Sequence, residues 1–154
     1  MTQGAGSAAI VVVALAAPAD AAALAGLEAD PVLLTAEERR WPRRRVTTEG
    51  GRVLTLALPS GEALRPGDVL HVGAGWYAVL GAAPEPVLSV APRTLAEGLR
   101  VAHAVGNQHA VLALDGERLL VPDEPAMERL MRRLDVAWER ARLAFDPRSF
   151  GTPH

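Results

Sequence analysis

The stretch Val101-Ala-His-Ala-Val-Gly-Asn-Gln-His-Ala-Val-Leu-Ala-Leu-Asp-Gly-Glu-Arg-Leu-Leu-Val121 changes its apolar period partway along. Its first part closes a helix. From Arg93 to Val105, Leu95, Leu99 and Ala102 recur at helical spacing and are read as the apolar face. Gly106-Asn107 reads as the stop, because both residues tolerate the left-handed conformation found at helix C-termini. Ala110–Leu114 and Arg118–Val121 then flank Asp115-Gly116, a pair that favours a primed hairpin turn. His109 stands between stop and hairpin, at the start of an expected strand.

Working outward, Val87-Leu-Ser-Val90 reads as a strand before that helix. Downstream, Asp123 suits a helix N-cap with Pro125 in the first turn, and Ala126, Leu130 and Leu134 with Met127 and Met131 make an apolar face. Val136–Phe145 closes as a strand. The order β-α-β-β-α-β is a ferredoxin-like split βαβ unit. The first half follows another rule: Ile10–Val13, Pro31–Thr35, Arg52–Leu58, Val69–Val72 and Trp76–Leu80 are short strands between Gly/Pro turns, which predicts an all-β unit. Pro18–Gly26 is open between a loop and one short helix. Ala82-Ala-Pro-Glu-Pro86 reads as the hinge. The expected fold class is α+β, with an N-terminal all-β domain over 1–84, a ferredoxin-like βαββαβ domain over 85–147 and a short C-terminal tail over 148–154.

Composition narrows the function. With 154 residues, 49% hydrophobic and 22% charged, the chain suits an ordered globular protein. A net charge of −2 gives no overall field for nucleic acid or an anionic membrane. The absence of Cys excludes disulfides, thiolate metal sites and Cys nucleophiles. Ala8–Ala17 lacks an upstream basic residue and is too short to span a bilayer, so its β-branched run Ile10–Val13 reads as a buried strand rather than part of a leader, and a cytoplasmic location is expected. Arg39 to Arg45 holds five arginines in seven positions. One reading is an RNA clamp with Trp41 as a stacking platform, which would make the protein an RNA- or ribosome-associated assembly factor. The other is a solvated edge strand where charge and Pro42 block unwanted pairing. Adjacent Glu37 and Glu38 and the negative net charge favour the second.

No phosphate-cradling Gly loop, Gly-x-Ser-x-Gly elbow or His-Glu-x-x-His helix occurs, so a non-enzymatic role is expected. Asp123-Glu124 is better explained by the preference of helix N-termini for acidic residues than by acid/base chemistry. The four histidines remain. His71 alternates within a strand, and His103 lies beside the Leu95/Leu99/Ala102 stripe. Periodicity leaves His109 open between an ordinary histidine and a ligand. A single imidazole per chain needs a second copy about a two-fold axis.

The second half resembles the nickel metallochaperones called urease accessory protein E. The family pattern at its metal residue, Leu-Gly-Asn-Arg-His, is similar to Val105-Gly-Asn-Gln-His109. Arg43-Arg-Arg45, Gly51-Arg52, Leu56-Ala-Leu-Pro59 and Gly67-Asp-Val-Leu70 resemble the family's first half. Ala82-Ala-Pro-Glu85 with Val87-Leu88 resembles its interdomain segment, Asp123 and Leu130 its second helix start, and Ala144-Phe-Asp-Pro147 its Pro-Phe-Glu-Pro ending.

The resemblance implies a peptide-binding-like β domain that contacts partners, followed by a domain that dimerises. It implies Ni2+ held by His109 from two subunits of a homodimer, with a dimer of dimers left open. Delivery would be to apo-urease, with the other accessory proteins including the maturation GTPase, and without nucleic acid or membrane. Cu2+ or Zn2+ should bind in vitro, since imidazole sites follow the Irving–Williams order. Ala104 and Gln108 depart from the pattern, and Glu124 replaces a helix-start His. His103, next to Ala104, and His154, in the ending Phe150-Gly-Thr-Pro-His154, are auxiliary candidates. About one nickel per dimer is expected.

Overall fold

Alternating exposure governs the first half of the chain. Strand β1 is Ile10–Val12 and the one-turn helix α1 is Ala21–Leu24, so Pro18–Gly26 does contain a short helix. Strands β2 (Glu28–Leu34), β3 (Arg43–Thr47), β4 (Val53–Ala57), β5 (Val69–Val72) and β6 (Trp76–Ala82) complete this part. The computed structural model describes residues 9–16, 21–61 and 63–147, and the chain divides into two units, Met1–Ala82 and Ala83–His154.

In the first unit one sheet has the order β1-β4-β3 and the other β2-β6-β5. Val12, Val46, Leu54 and Leu56 from the first sheet share one apolar cluster with Val32, Leu70 and Leu80 from the second. Complete burial of a side chain such as Leu54 contributes about 1.5–3 kcal/mol. The Ile10–Val13 run differs from the buried strand expected of it. Only Val12 is buried, while Val11 is 56% and Val13 67% exposed, because this sheet packs on the core by one face, Val11 points to the other, and Val13 lies beyond the strand.

A polar strut crosses this unit. The buried Asp30 carboxylate accepts from the Gly50 N–H at 2.8 Å and from Arg52 Nη1 at 2.7 Å. The Arg52 guanidinium lies 4.2 Å from the Trp76 ring centre, and the half-buried His71 ring lies 5.5 Å from the same indole. His71 is thereby a packing residue. Burial pushes the Asp30 carboxyl up, but hydrogen bonds from Thr48, Arg52 and the Gly50 N–H, with the Arg52 charge, hold it below the ordinary carboxylate range. A side chain at Gly50 would place its Cβ 2.9 Å from both Asp30 oxygens, so any larger residue there would have to push the carboxylate away from its partners.

The second unit comprises β7 (Pro84–Val90), α2 (Leu95–Asn107), β8 (Ala113–Asp115), β9 (Arg118–Pro122), α3 (Pro125–Leu134) and β10 (Trp138–Ala144). Its sheet has the order β10-β7-β9-β8 with every neighbouring pair antiparallel. This is the ferredoxin-like arrangement, and the fold class is α+β. Only Ala83 lies between β6 and β7, so Ala82 and residues 84–86, expected to form a hinge, belong to strands. Pro84 opens β7, at a strand position where a missing N–H is tolerated.

On α2 the sheet selects another face than periodicity suggested, whereas on α3 it buries most of the expected one. On α2 the buried residues are Val101 and Val105, whereas Leu95 is 80% and Leu99 62% exposed. The helix has two apolar faces, and the sheet took the β-branched one. On α3 the buried residues are Met127, Leu130 and Met131, with Leu134 packed beside them and Ala126 exposed. Glu124, not Asp123, occupies the N-cap position of α3, and Asp123 instead pairs with Arg140 at 3.4 Å. The final strand starts at Trp138 rather than Val136, because Val136 packs into the core as the chain leaves α3. Among the described residues, no helix is long and apolar enough to cross a membrane.

Candidate metal centre

Helix α2 begins at Thr94, whose hydroxyl accepts from the Glu97 N–H at 3.1 Å. It runs through Gly106 and Asn107, which were expected to stop it. The chain turns at His109 instead, with φ of 56°. The His109 N–H donates to the Gly106 carbonyl at 3.0 Å, and the Ala110 N–H reaches back to the Val105 carbonyl at 3.2 Å. These two bonds form a Schellman motif, in which the left-handed residue is usually glycine. Ala110 packs against the core cluster that contains Val105, which closes the motif on its apolar side. Residues 110–112 then run without strand pairing, and β8 is confined to Ala113–Asp115, shorter than the expected Ala110–Leu114.

The left-handed conformation costs a residue with a Cβ about 1–2 kcal/mol. Histidine tolerates it better than most, yet glycine would be more stable in this place. The two hydrogen bonds fix the backbone on both sides of His109, and its side chain is exposed. The result is an imidazole presented to solvent from a rigid corner. Helix α2 has no basic residue in its last turn, so the negative end of its dipole adjoins that imidazole. A cation arriving there meets a favourable field.

His103 is also exposed, on the last two turns of the same helix. His154 lies outside the described residues. Among the described residues, no group of three or more His, Asp or Glu is positioned to hold a metal ion. The described residues of one chain therefore do not by themselves bring a full set of metal ligands together. The same unit exposes the apolar side chains of Leu95, Leu99, Val111 and Leu114.

The arginine run is divided rather than continuous. A short 3-10 turn covers Glu38–Arg40 and starts on a reciprocal capping pair: Thr35 Oγ1 accepts from the Glu38 N–H at 3.2 Å, and Glu38 Oε1 accepts from the Thr35 N–H at 3.0 Å. That backbone bond, against the opposing effect of burial and with help from the Thr35 hydroxyl and Arg44, holds Glu38 below the ordinary range. Arg39 is buried and donates to the Leu34 carbonyl at 2.7 Å. Arg44 pairs with Glu38 at 3.2 Å. Arg40, Arg43 and Arg45 are left facing outward with Trp41, so the five guanidiniums do not form one clamp. The left-handed backbone at His109 had no signal in the sequence beyond the nearby Gly106-Asn107.

Residues 12–83 match the family model described as UreE urease accessory protein, N-terminal domain, and residues 85–153 match that for the C-terminal domain. A urease accessory protein UreE of Synechococcus sp. (strain JA-3-3Ab) is 40% identical over 120 residues, covering 78% of this chain and 80% of that protein. The one of Deinococcus radiodurans is 44% identical over 117 residues, covering 76% of each. A third, from Nostoc sp., is 31% identical and covers 75% of this chain.

Proposed function

The chain belongs to the UreE urease accessory protein family, and on that premise we propose that it carries nickel for urease maturation. The role is accessory rather than catalytic. The observation that carries this reading is the imidazole of His109 in a left-handed position where glycine would be more stable. A residue that costs stability at an exposed corner points to a use for its side chain.

One imidazole does not hold nickel tightly, so the site is completed by His109 of a second copy in a homodimer. The exposed Leu95, Leu99, Val111 and Leu114 give the second unit apolar surface for that association. His103 and His154 serve at most as auxiliary ligands. A two-imidazole site shared across an interface stays open to exchange, as a carrier requires, whereas a closed four-ligand site would trap the ion. Acid releases the metal, since protonated imidazole cannot ligate. Copper and zinc compete for the same nitrogens. The first unit meets apo-urease and the other accessory proteins, including the maturation GTPase, in the cytoplasm.

Calorimetric titration of nickel into the protein and into His109→Ala tests this. Wild type should bind about one ion per dimer, and the variant should lose tight binding while keeping its fold. Equal affinity in the two proteins would refute the assignment.

A further inference from the structure

Strand β3 is an edge strand, and its open side has a definite polarity of hydrogen-bonding groups. Its bonds to β4 fall at even-numbered residues: the Leu58 N–H donates to the Pro42 carbonyl at 3.1 Å, and the Thr48 N–H to the Arg52 carbonyl at 2.8 Å. The alternation of an antiparallel pair then turns the N–H and C=O groups of Arg43, Arg45 and Thr47 outward. Among the described residues, no hydrogen bond reaches these groups. The side chains of the same three residues are exposed, while Val46 faces the core.

Charge decides what can pair there. Arg43 and Arg45 make no ion pair among the described residues, and they project from one face about 6.8 Å apart. Trp41 continues the line with extended backbone (φ −102°, ψ 101°) and is 59% exposed. A second copy of this edge would set arginine against arginine and be repelled. A strand with carboxylates at alternate positions has the matching spacing and the opposite sign. Single-stranded RNA could use the guanidiniums and the indole but would leave the outward N–H and C=O groups unpaired.

We propose that the open edge of β3 docks an acidic, extended protein segment as an added strand, with Arg43 and Arg45 reading its carboxylates and Trp41 giving apolar contact. This names the chemistry of the partner contact assigned to the first unit and rests on that part of the proposed function, not on nickel.

Fluorescence anisotropy with the full chain tests it, using a labelled peptide of alternating Glu and Thr about as long as β3. Its Gln-for-Glu counterpart and an oligouridine are the competing probes. The acidic peptide should bind in a salt-sensitive way, and the Gln peptide roughly tenfold more weakly, as expected for two exposed ion pairs. Arg43→Glu with Arg45→Glu should abolish the preference. Thr47→Pro, which removes an outward N–H while keeping both charges, should weaken binding of both peptides. Equal binding of the two peptides by wild type overturns the proposal, as does a folded Thr47→Pro that binds like wild type, or oligouridine binding in place of the peptide. His109→Ala should bind the peptide unchanged. Peptide binding that fails beside a normal nickel titration removes the docking inference and leaves the carrier reading standing.

Discussion

Helices α2 and α3 end on the same backbone device in different surroundings. At the end of α3, Asp135 is left-handed with φ of 54°, its N–H donates to the Arg132 carbonyl at 3.2 Å, and the Val136 N–H reaches the Met131 carbonyl at 3.4 Å. His109 stands in the corresponding place after α2. The α3 end is clamped by charge. Arg100 Nη2 donates to the Leu134 carbonyl at 3.0 Å, Arg93 Nη2 donates to the Asp135 carbonyl at 3.2 Å, and Arg132 and Arg133 lie in the last turn. The α2 end has no basic residue in its last turn and an exposed imidazole. One negative helix pole is neutralised by arginines that join the two helices. The other has no such arginine in its last turn, and this difference separates a structural joint from the corner proposed to hold the metal.

The sharpest way to break the comparison is to remove His109. His109→Ala should weaken nickel binding at least about 100-fold in calorimetry with little change in melting temperature, because alanine bears a similar left-handed cost. Arg93→Ala should leave nickel affinity alone; a matching loss there would mean that the two ends are not functionally distinct.

Acid sensitivity of the fold should originate at neither helix end. The Asp30 carboxyl is held below its ordinary range in the folded protein, so its contribution is fully present above the unfolded value and disappears as pH falls through the folded one. Asp30→Asn should cost about 1–3 kcal/mol at neutral pH and progressively less in acid. Urea melts at several pH values check this, and a constant difference across the range would contradict it.

A smaller effect belongs to the clamp. Arg93→Ala with Arg100→Ala removes two exposed guanidinium–carbonyl bonds and the Arg93–Glu97 ion pair, and should lower stability by about 1–2 kcal/mol in urea, with nickel stoichiometry unchanged. Smallest are the glycine replacements. His109→Gly and Asp135→Gly should each stabilise the protein by about 0.5–1 kcal/mol, the first abolishing nickel binding and the second sparing it. If only Asp135→Gly raises the melting temperature, His109 is not strained and the two ends are not equivalent in backbone.

Some features were legible from local pattern because local chemistry sets them. A two-residue turn does separate β8 from β9, although it is Gly116-Glu117 with Asp115 ending β8, and Pro125 does open α3. The arginine run does extend into the edge strand β3. The buried face of α2 was not legible, because Leu95 and Leu99 recur at helical spacing as surely as Val101 and Val105 do, and only a sheet in place distinguishes them. Arg39 was unreadable for a related reason: a guanidinium counts as solvated until a carbonyl such as that of Leu34 is brought to it.

By itself the sequence determined the α+β class, the β-α-β-β-α-β order, the family, and His109 as the residue to ask about. Turn chemistry and apolar period act within a few residues, and they survive in a linear string. Tertiary structure decided which face of α2 is buried, which two arginines of the run turn inward, and that α3 rather than α2 has its negative end neutralised. It also decided that the left-handed turn falls on His109 itself. The neutralised end of α3 depends on residues far apart in the chain, since Arg93 and Arg100 reach it only after the sheet has brought the two helices side by side. Arg39, Arg44 and His109 instead take their places through contacts within six residues that no apolar period or turn signal encodes.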